Sequence, residues 1–466
     1  MHKFARYVVS GALASAPAVV LAGGFSLNEQ SASAMGVANA GTAANPENAT
    51  TVFFNPAGMS QLSGTNISFG AAVLDIKAEL DGATGTATDS LGRPVNGGNG
   101  GDFVPLAVLP NVYLTHEVND WMDVGFGIHA PYGLKADYNN DFIGRYFADK
   151  TELTAIALSP SIALNDGNGF SLGFGINLMY AEGRLSKFQD YSETEAQLNA
   201  ALGGNGPALE EGYVDIQGDD LAATFTFGML WEVNDRTQLG LSAQTGTELK
   251  LEGDATLTNM PQVSMTAGGL AVGIADVSEK VTVPLEIPES ITFGARHRLT
   301  DTVTLLGGAT WAKWSRFVAL DVISREDNGA ISAAGGPKYG ADGYVGHVSE
   351  NWEDTWQFNV GAIWQVSPAW ALKAGYAIDQ SPVPDAFRTA RIPSDDREWL
   401  SLGTQYADAQ SGWTVDVAAG MLLFDKSKVD EIERTVDDEP VGNPARFVGT
   451  YDLDAWSVGV QVSKSL

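Results

Sequence analysis

The sequence contains no cysteine among its 466 residues. Disulfide bonds, thiolate metal sites and cysteine nucleophiles are therefore all excluded. Beyond its N-terminal segment the chain also has no apolar run near the roughly 20 residues that a spanning helix needs. A β-barrel needs neither feature, because it closes through hydrogen bonds between its own strands.

Positive charge is scarce. The chain has 27 Lys and Arg against 57 Asp and Glu, which gives a formal net charge of −30. Nucleic-acid binding needs basic patches, so nucleic acid is not expected as a partner. Only 18% of residues are charged, 53 are glycine and the mean hydropathy is −0.04. This composition favours one large alternating sheet with acidic surface loops over several soluble domains.

Catalytic and metal-binding patterns are also weak, so we expect no enzyme, no metal and no cofactor. The stretch from Gly169 to Gly173 fits the spacing of a nucleophile elbow, but that motif needs a helix after the turn and here a strand follows. Beyond the N-terminal segment no histidine neighbours another at metal-ligand spacing. The four are His116, His129, His297 and His347.

The N-terminus predicts an export signal. Lys3 and Arg6 form a charged start, residues 7–20 are mostly apolar or small, and Val20-Leu21-Ala22 fits a cleavage site. The mature chain is expected to begin near Gly23. Its formal charge is then −30 − 2 = −32, since both basic residues leave with the signal.

Period-two alternation continues through the chain and predicts strands with one apolar and one polar face. In the last strand Trp456, Val458 and Val460 alternate with Ser457 and Gln461. About fourteen such segments follow residue 63, with short turns on one side and long connections on the other, two of them near residues 188–218 and 252–280. An even strand number and unequal connections are typical of an outer-membrane β-barrel. A short helix is expected over residues 193–202.

Residues 24–62 do not alternate. Turn-forming Asn45-Pro46 and Asn55-Pro56 divide this stretch. Its apolar side chains need a place to bury, which a plug inside the barrel would provide; they are Phe25, Leu27, Val52, Phe53 and Phe54. The predicted organisation is therefore a signal peptide over residues 1–22, a hatch over 23–62 and an all-β transmembrane barrel of about 14 antiparallel strands over 63–466.

Three sequence blocks, in order, resemble the FadL-type family of outer-membrane transporters for long-chain fatty acids and aromatic hydrocarbons. The first is Gly24 to Glu29 at the new N-terminus, and the second is Asn55-Pro56-Ala57. The third runs from Gly375 through Arg388 and Ile392-Pro393 to Ser401. The resemblance covers essentially the mature chain. It implies a fourteen-stranded barrel closed by a hatch, whose matching residues are Phe25, Asn28, Glu29, Asn55, Pro56 and Ala57.

The family also implies capture of the ligand by extracellular loops and its sideways release into the membrane at a kink in the third strand. Pro131 and Gly133 fall in this strand, and proline cannot donate to the ladder, so strand pairing is expected to fail there. Alternatively, Pro131 simply ends the strand. Passive uptake of a long-chain fatty acid or similar compound follows from the resemblance, as does contact with outer-membrane lipid and lipopolysaccharide. A monomer is expected.

A fatty acid needs a cation for its carboxylate. The candidate ligand-binding residues are Arg184, Lys187, Arg145, Lys313, Trp311 and Trp314. Each basic residue could instead pair with one of the many acids. Asp321 stands where the family transporter has a lysine, which leaves a neutral aromatic or alkane hydrocarbon open as cargo. The same barrel could also serve as a general porin or as a surface receptor.

Overall fold

The computed structural model describes residues 23–82, 85–266 and 269–466, so the predicted signal peptide lies outside the described residues. Within these ranges, 21 strands form one sheet in which the pairings are antiparallel. The strands are β1 (Thr65–Leu80), β2 (Thr86–Thr88), β3 (Ala107–Asn119), β4 (Met122–Asp137), β5 (Lys150–Leu158), β6 (Ser161–Asn165), β7 (Phe170–Gln189), β8 (Gly212–Asn234), β9 (Thr237–Gln244), β10 (Thr247–Thr266), β11 (Gly269–Ile287), β12 (Ser290–Arg298), β13 (Val303–Ala312), β14 (Ala319–Ser324), β15 (Tyr344–Ser349), β16 (Thr355–Gln365), β17 (Trp370–Asp379), β18 (Arg397–Asp408), β19 (Trp413–Phe424), β20 (Ser427–Ile432) and β21 (Arg446–Ser465).

The sheet closes into a barrel because β1 pairs with β3 on one side and with β21 on the other. In the described part of the chain, eight strands run singly along the wall. Six consecutive pairs, such as β5 and β6, each form one interrupted wall strand, which gives fourteen in total. β2 is an extra strand in a loop, where it pairs with the end of β21. The predicted fourteen-stranded barrel is confirmed.

The alternation seen in the sequence separates an outer apolar face from an inner polar one. Trp456, Val458 and Val460 of β21 are exposed, whereas Ser457 and Gln461 are fully buried inside the barrel. The same division holds on β16, where Trp356 and its alternate neighbours are exposed. This outer face is the surface that a barrel presents to lipid.

The connections agree with the predicted topology at the short turns, and one long connection differs. The predicted loop at 252–280 is wrong, because β10 and β11 stay paired as a hairpin from Thr247 and Ile287 out to Thr266 and Gly269. A bulge near Asn259, which has a positive φ of 57°, interrupts the period-two pattern. Because of this interruption, the two strands were not recognised from the sequence.

The described residues contain four α-helices: α1 (Ala32–Met35), α2 (Thr51–Phe54), α3 (Ser192–Ala201) and α4 (Ala330–Tyr339). The helix predicted over residues 193–202 is confirmed as α3. The start of α4 is fixed by Glu279 of β11, whose carboxylate accepts hydrogen bonds from the backbone N–H groups of Ile331 and Ser332 at 2.8 and 3.0 Å. In the described ranges no helix is both long and apolar enough to cross a membrane.

Residues 23–62 form the hatch inside the barrel. The hatch lies so close to the wall that a side chain at ten wall positions would be crowded against it, and each of these positions is a glycine. At Gly375, for example, a Cβ would meet the backbone of Val37. We call these residues the glycine band: Gly125, Gly173, Gly228, Gly240, Gly294, Gly308, Gly361, Gly375, Gly403 and Gly459.

Hydrogen bonds and ion pairs hold the hatch against the glycine band. Asn55 donates from Nδ2 to the carbonyl oxygens of Ala43 in the hatch and Met229 in the wall, at 2.6 and 2.9 Å. Its side-chain oxygen accepts from the N–H of Ala57 at 3.1 Å, which caps the 3-10 helix Pro56–Gln61. The Asn-Pro-Ala motif therefore starts a short helix and ties it to β8.

A buried cation forms a second contact between the hatch and the barrel wall. The Nζ of Lys373 in β17 lies 2.7 Å from the Glu47 carboxylate of the hatch and 3.1 Å from that of Asp416 in β19. It also donates to the hydroxyl of Ser33 at 2.8 Å. The Lys373 side chain is only 1% exposed, so this ammonium group joins hatch and wall without access to bulk water.

Candidate functional site

A cavity of about 630 Å³ lies between α3, α4 and the loop that follows β20; we call it the entrance cavity. Its basic groups are Lys187, Lys338 and Arg391, its acidic groups are Asp190, Glu193 and Glu433, and His347 also lines it. Most of the remaining wall is apolar and includes Leu185, Val214, Ile216, Leu257, Leu320, Val322, Ile331 and Val345. A space of this kind suits a molecule with a long apolar part and a small polar group.

A narrower space of about 50 Å³ adjoins the entrance cavity, and we call it the inner pocket. Leu185, Ile216, Leu320 and Arg391 line both spaces. The rest of the inner pocket is almost wholly apolar, with Phe25, Leu134, Leu153, Leu251, Val283, Leu285, Phe317 and Ile392 in its wall. The two spaces together provide an apolar route from the loops to the N-terminal end of the hatch.

An aromatic cluster closes the inner pocket from below. The ring of Phe25 packs edge-on against Trp314, with 4.7 Å between ring centroids, and also contacts Phe317 and Trp352. Trp314 and Trp352 themselves lie 5.2 Å apart. The buried apolar side chain of the hatch N-terminus therefore forms the floor of the inner pocket.

Beyond this floor is a third space of about 180 Å³ with a different chemistry; we call it the polar chamber. Hydroxyl and amide side chains dominate its wall: Ser26, Asn28, Asn39, Thr42, Thr226, Ser242, Gln244, Ser290, Thr292, Thr310, Gln357 and Asn359. An apolar cargo loses about 0.8 kcal/mol for each methylene that leaves an apolar environment for water, so this chamber is a poor continuation of the route.

The barrel wall opens beside the floor. β4 pairs with β3 only as far as Ile128, and its register with β5 shifts between His129 and Tyr132. Pro131 lies within this shift and β4 continues to Asp137, so the alternative in which Pro131 ends the strand is wrong. From this point upward the edge of β4 that faced β3 has no strand partner in the described wall.

The hatch takes the place of the missing strand. The N–H of Leu27 donates to the carbonyl oxygen of Pro131 at 3.0 Å, and the N–H of Gly133 donates to that of Phe25 at 2.9 Å. Gln30 adds a side-chain bond to the carbonyl oxygen of Ala130 at 2.6 Å. The segment that forms the pocket floor is thus the segment that pairs with the free edge of β4.

Asn28 and Glu29 lie just beyond this pairing. The carbonyl oxygen of Asn28 accepts from the amide of Asn39 at 2.9 Å, which folds the hatch onto itself. Glu29 is 2% exposed, and burial raises the pKa of its carboxyl group despite the nearby Arg397.

The candidate cations differ in where the structure places them. Arg184 lines the inner pocket, but two of its nitrogens donate to the carboxylate of Asp215 at 2.9 and 2.7 Å. Lys187 lines the entrance cavity, 3.4 Å from Glu433. Arg145 is paired with Glu211 at 2.7 Å and lines none of the three spaces.

Lys313, Trp311 and Trp314 are similarly divided. Lys313 is exposed and lines none of the three spaces. Trp311 pairs with Ile291 and Trp356, both exposed on the outer face, so it shares the lipid-facing row. Trp314 alone of the three lies at the site, in the aromatic cluster.

Sequence reasoning missed Arg391, which lies at the junction of the entrance cavity and the inner pocket. Within the described residues its hydrogen bonds go to uncharged acceptors: the carbonyl oxygens of Lys150 and Ser186 and the hydroxyl of Thr151, at 3.0 to 3.2 Å. Burial lowers the pKa of the Arg391 guanidinium group. Its position in the third family block, beside Ile392, was a signal, but nothing there shows that it reaches the cavity.

Asp321, which replaces the expected family lysine, contacts His347 rather than the inner pocket. Its carboxylate lies 2.6 Å from Nδ1 of His347, whose Nε2 is 3.1 Å from the hydroxyl of Ser349. This order resembles a hydrolase triad, but the hydroxyl of Ser349 also bonds to the carboxylate of Asp438. The array links the strand pair β14 and β15 to the loop after β20.

Comparison with known proteins identifies the family. A family model described as "Outer membrane protein transport protein (OMPP1/FadL/TodX)" matches residues 13–466. The chain belongs to this family of outer-membrane transport proteins. An outer membrane protein of Neisseria meningitidis serogroup B is 30% identical over 406 residues, which cover 84% of each chain.

Two further relatives have informative names. The long-chain fatty acid transport protein of Escherichia coli O6:H1 is 25% identical over 441 residues, covering 92% of this chain and 93% of the relative. The crystal structure of a Pseudomonas aeruginosa FadL homologue shares the fold, with a TM-score of 0.78, 22% identity and coverage of 95% and 99% of the two chains. As a member of the family, the present protein is located in the outer membrane.

Proposed function

We propose that this protein takes up long-chain fatty acids or similar hydrophobic compounds passively and releases them sideways into the membrane. The observation that carries the proposal is the continuous apolar route from the entrance cavity to the inner pocket, with Arg391 at the junction. The aliphatic part of the cargo would occupy the apolar wall, and the guanidinium group of Arg391 would bind its polar head.

Release would follow from the position of Phe25. Its ring forms the pocket floor and its carbonyl oxygen pairs with β4, so cargo that displaces the ring also disturbs the segment that covers the free edge of β4. The cargo would then leave through the side of the barrel and stay in apolar surroundings. The polar chamber below supports this direction, because hydroxyl and amide side chains interrupt its apolar wall of Leu27, Phe53, Phe54 and Trp314 and make it less favourable for an aliphatic chain.

The test is uptake of labelled palmitate, beside a labelled neutral alkane, in Gram-negative cells that lack their own fatty-acid transporter. Gly183→Leu should reduce uptake at least tenfold, because a Cβ at Gly183 in the wall of the inner pocket would lie 2.6 Å from Leu251. Gly175→Ala is the matched control on the same strand, since its Cβ would have ordinary contacts of 3.6 Å or more. Normal uptake by a correctly inserted Gly183→Leu variant would contradict the proposal.

Competing functions give different outcomes in these assays. An aromatic or alkane hydrocarbon channel would take up the neutral compound alone. A general porin would show steady ionic conductance in planar bilayers, which a seated hatch should prevent. Cleavage of the signal at Gly23, a monomeric state and contact with lipopolysaccharide belong to the proposal, and N-terminal sequencing of the mature protein and its mass in solution test the first two.

A further inference from the structure

Two lysines of the entrance cavity converge on one carboxylate of the chain itself. The Nζ of Lys338 lies 2.7 Å from Oε1 of Glu433, and the Nζ of Lys187 lies 3.4 Å from the same oxygen. The three residues belong to α4, the loop after β20, and β7, and all of them line the cavity. Only 11% of the Glu433 side chain is exposed.

The loop holds Glu433 in a fixed place. Its carbonyl oxygen accepts from the N–H of Val441 at 3.1 Å, which closes a turn over residues 433–441. Within that turn the N–H of Val436 donates to the carbonyl oxygen of Tyr339 at 3.0 Å and docks the loop on the end of α4. The carboxylate therefore belongs to the built wall of the cavity.

The charges around the cluster keep Glu433 ionised. Burial alone would raise the pKa of Glu433, but Lys338 and Lys187 lower it to about 2. Burial would likewise lower the pKa of Lys338, whereas Glu433 raises it above its ordinary value. Asp190 also raises the pKa of Lys338, and Glu433 raises the pKa of the neighbouring Glu431. At neutral pH the two ammonium groups already have an anionic partner.

A carboxylate between two ammonium groups in an apolar cavity is the contact that a bound fatty acid would make. In this cavity the carboxylate between the two ammonium groups is Glu433 of the chain itself. An incoming carboxylate therefore has to displace Glu433, while a hydroxyl or ester head group does not. The aliphatic part of the ligand gains the same burial free energy with either head group. The head group therefore decides which ligand binds more tightly. We propose that Glu433 is a specificity-determining residue that directs the entrance cavity toward neutral long-chain amphiphiles, such as alcohols and esters, over free fatty acids.

This inference rests on the proposed function, and binding to the full-length protein in amphipol tests both. Calorimetry at pH 8 would compare decanoate with 1-decanol, which share the aliphatic chain. Glu433→Gln should raise the affinity for decanoate at least fivefold and change that for 1-decanol less than twofold. Glu439→Gln makes the same charge change at an exposed position of the same loop and should alter neither affinity.

A second variant separates head-group recognition from loosening of the loop. Adding Lys338→Met to Glu433→Gln should remove the gain in decanoate affinity, because one of the two freed cations is lost. An unchanged ratio of decanoate to 1-decanol affinity in Glu433→Gln, with the barrel still heat-modifiable in gels, would overturn the inference and leave the proposed function intact. Failure of the wild type to bind either compound would overturn both.

Discussion

The carbonyl oxygen of Phe25 accepts a hydrogen bond from the N–H of Gly133 at 2.9 Å, while its ring forms the floor of the inner pocket. One hatch residue therefore joins the cargo route to the free edge of β4. Movement of the ring by a cargo molecule and weakening of the strand edge are two effects of the same displacement. The following predictions test this coupling and the contacts around it.

Pro131→Ala should lower uptake at least fivefold. Alanine restores a backbone N–H at the shift between β4 and β5, so the strand can straighten and the side of the barrel can close. Pro110→Ala, at an exposed proline of β3, is the control and should leave uptake unchanged. Labelled palmitate uptake measures the effect, and wild-type uptake by the Pro131 variant would contradict lateral release at this point.

Arg391→Met should weaken binding of cargo that carries a polar head group at least tenfold and leave a plain alkane within twofold. The reason is that Arg391 lines both apolar spaces and, in the described part of the chain, its hydrogen bonds go to uncharged acceptors. The carboxylates of Glu431, Glu350 and Asp149 act on it electrostatically but form no direct bond with it there, so a ligand can still contact it. Arg184→Met is the comparison, because Arg184 is already paired with Asp215. Equal loss for the alkane would mean that Arg391 supports the pocket structure instead.

Gly375→Ala should unseat the hatch. Its new Cβ would collide with the backbone of Val37, whereas Gly307→Ala on β13 meets only an atom 3.9 Å away. Ionic conductance in planar bilayers and sensitivity of cells to vancomycin should both rise for Gly375→Ala and stay at the wild-type level for Gly307→Ala. A non-conducting Gly375 variant would show that the hatch adjusts to the added methyl group.

Lys373→Met should destabilise the hatch by about 3–5 kcal/mol, since it leaves the buried carboxylate of Asp416 and the partly exposed carboxylate of Glu47 without their cation. Amide hydrogen exchange over residues 23–62 measures the loss against the wild type. Adding Asp416→Asn should recover part of the stability, because one of the two uncompensated charges is removed. No recovery in the double variant would argue against charge as the cause.

Docking of the loop after β20 should show an acid transition that depends on Glu433. The folded-state pKa of Glu433, about 2, lies below its ordinary value of 4.5, so its contribution to stability is present above pH 4.5 and is lost as the pH falls toward 2. A fluorophore on Asp437→Cys reports docking in this cysteine-free chain. Its signal should change as the pH falls below 4.5, and adding Glu433→Gln should abolish that acid transition.

The sequence predicted the barrel well because a strand that separates lipid from a polar interior has to alternate. This requirement is local, so the alternation of apolar and polar residues can be recognised at Trp456 and Ser457 without any knowledge of neighbouring strands. The short turns could also be predicted from the local sequence. The pattern failed where a bulge at Asn259 shifted the phase within one strand, and a hairpin was therefore taken for a loop.

The candidate site was less predictable, because it depends on which residues meet across the barrel. Lys187 and Lys338 are 151 positions apart and converge only when α4 and β7 share a cavity with Glu433. The sequence analysis named Arg145 and Arg184 as candidate cations and did not name Arg391. Only the folded chain shows that the first two have carboxylate partners and that Arg391 contacts carbonyl and hydroxyl oxygens.

The glycine band also sets how the hatch can move. At most of these positions hatch backbone lies against wall backbone, so the two surfaces have few side chains to interlock and the hatch can shift with little rearrangement of rotamers. What resists the shift is a set of directed contacts, which includes those of Asn55 and Lys373 and the pairing of residues 25–30 with β4. The hatch is held in the barrel by directed bonds. Single substitutions at these bonds can therefore change how easily the hatch is released, while the barrel around it stays the same.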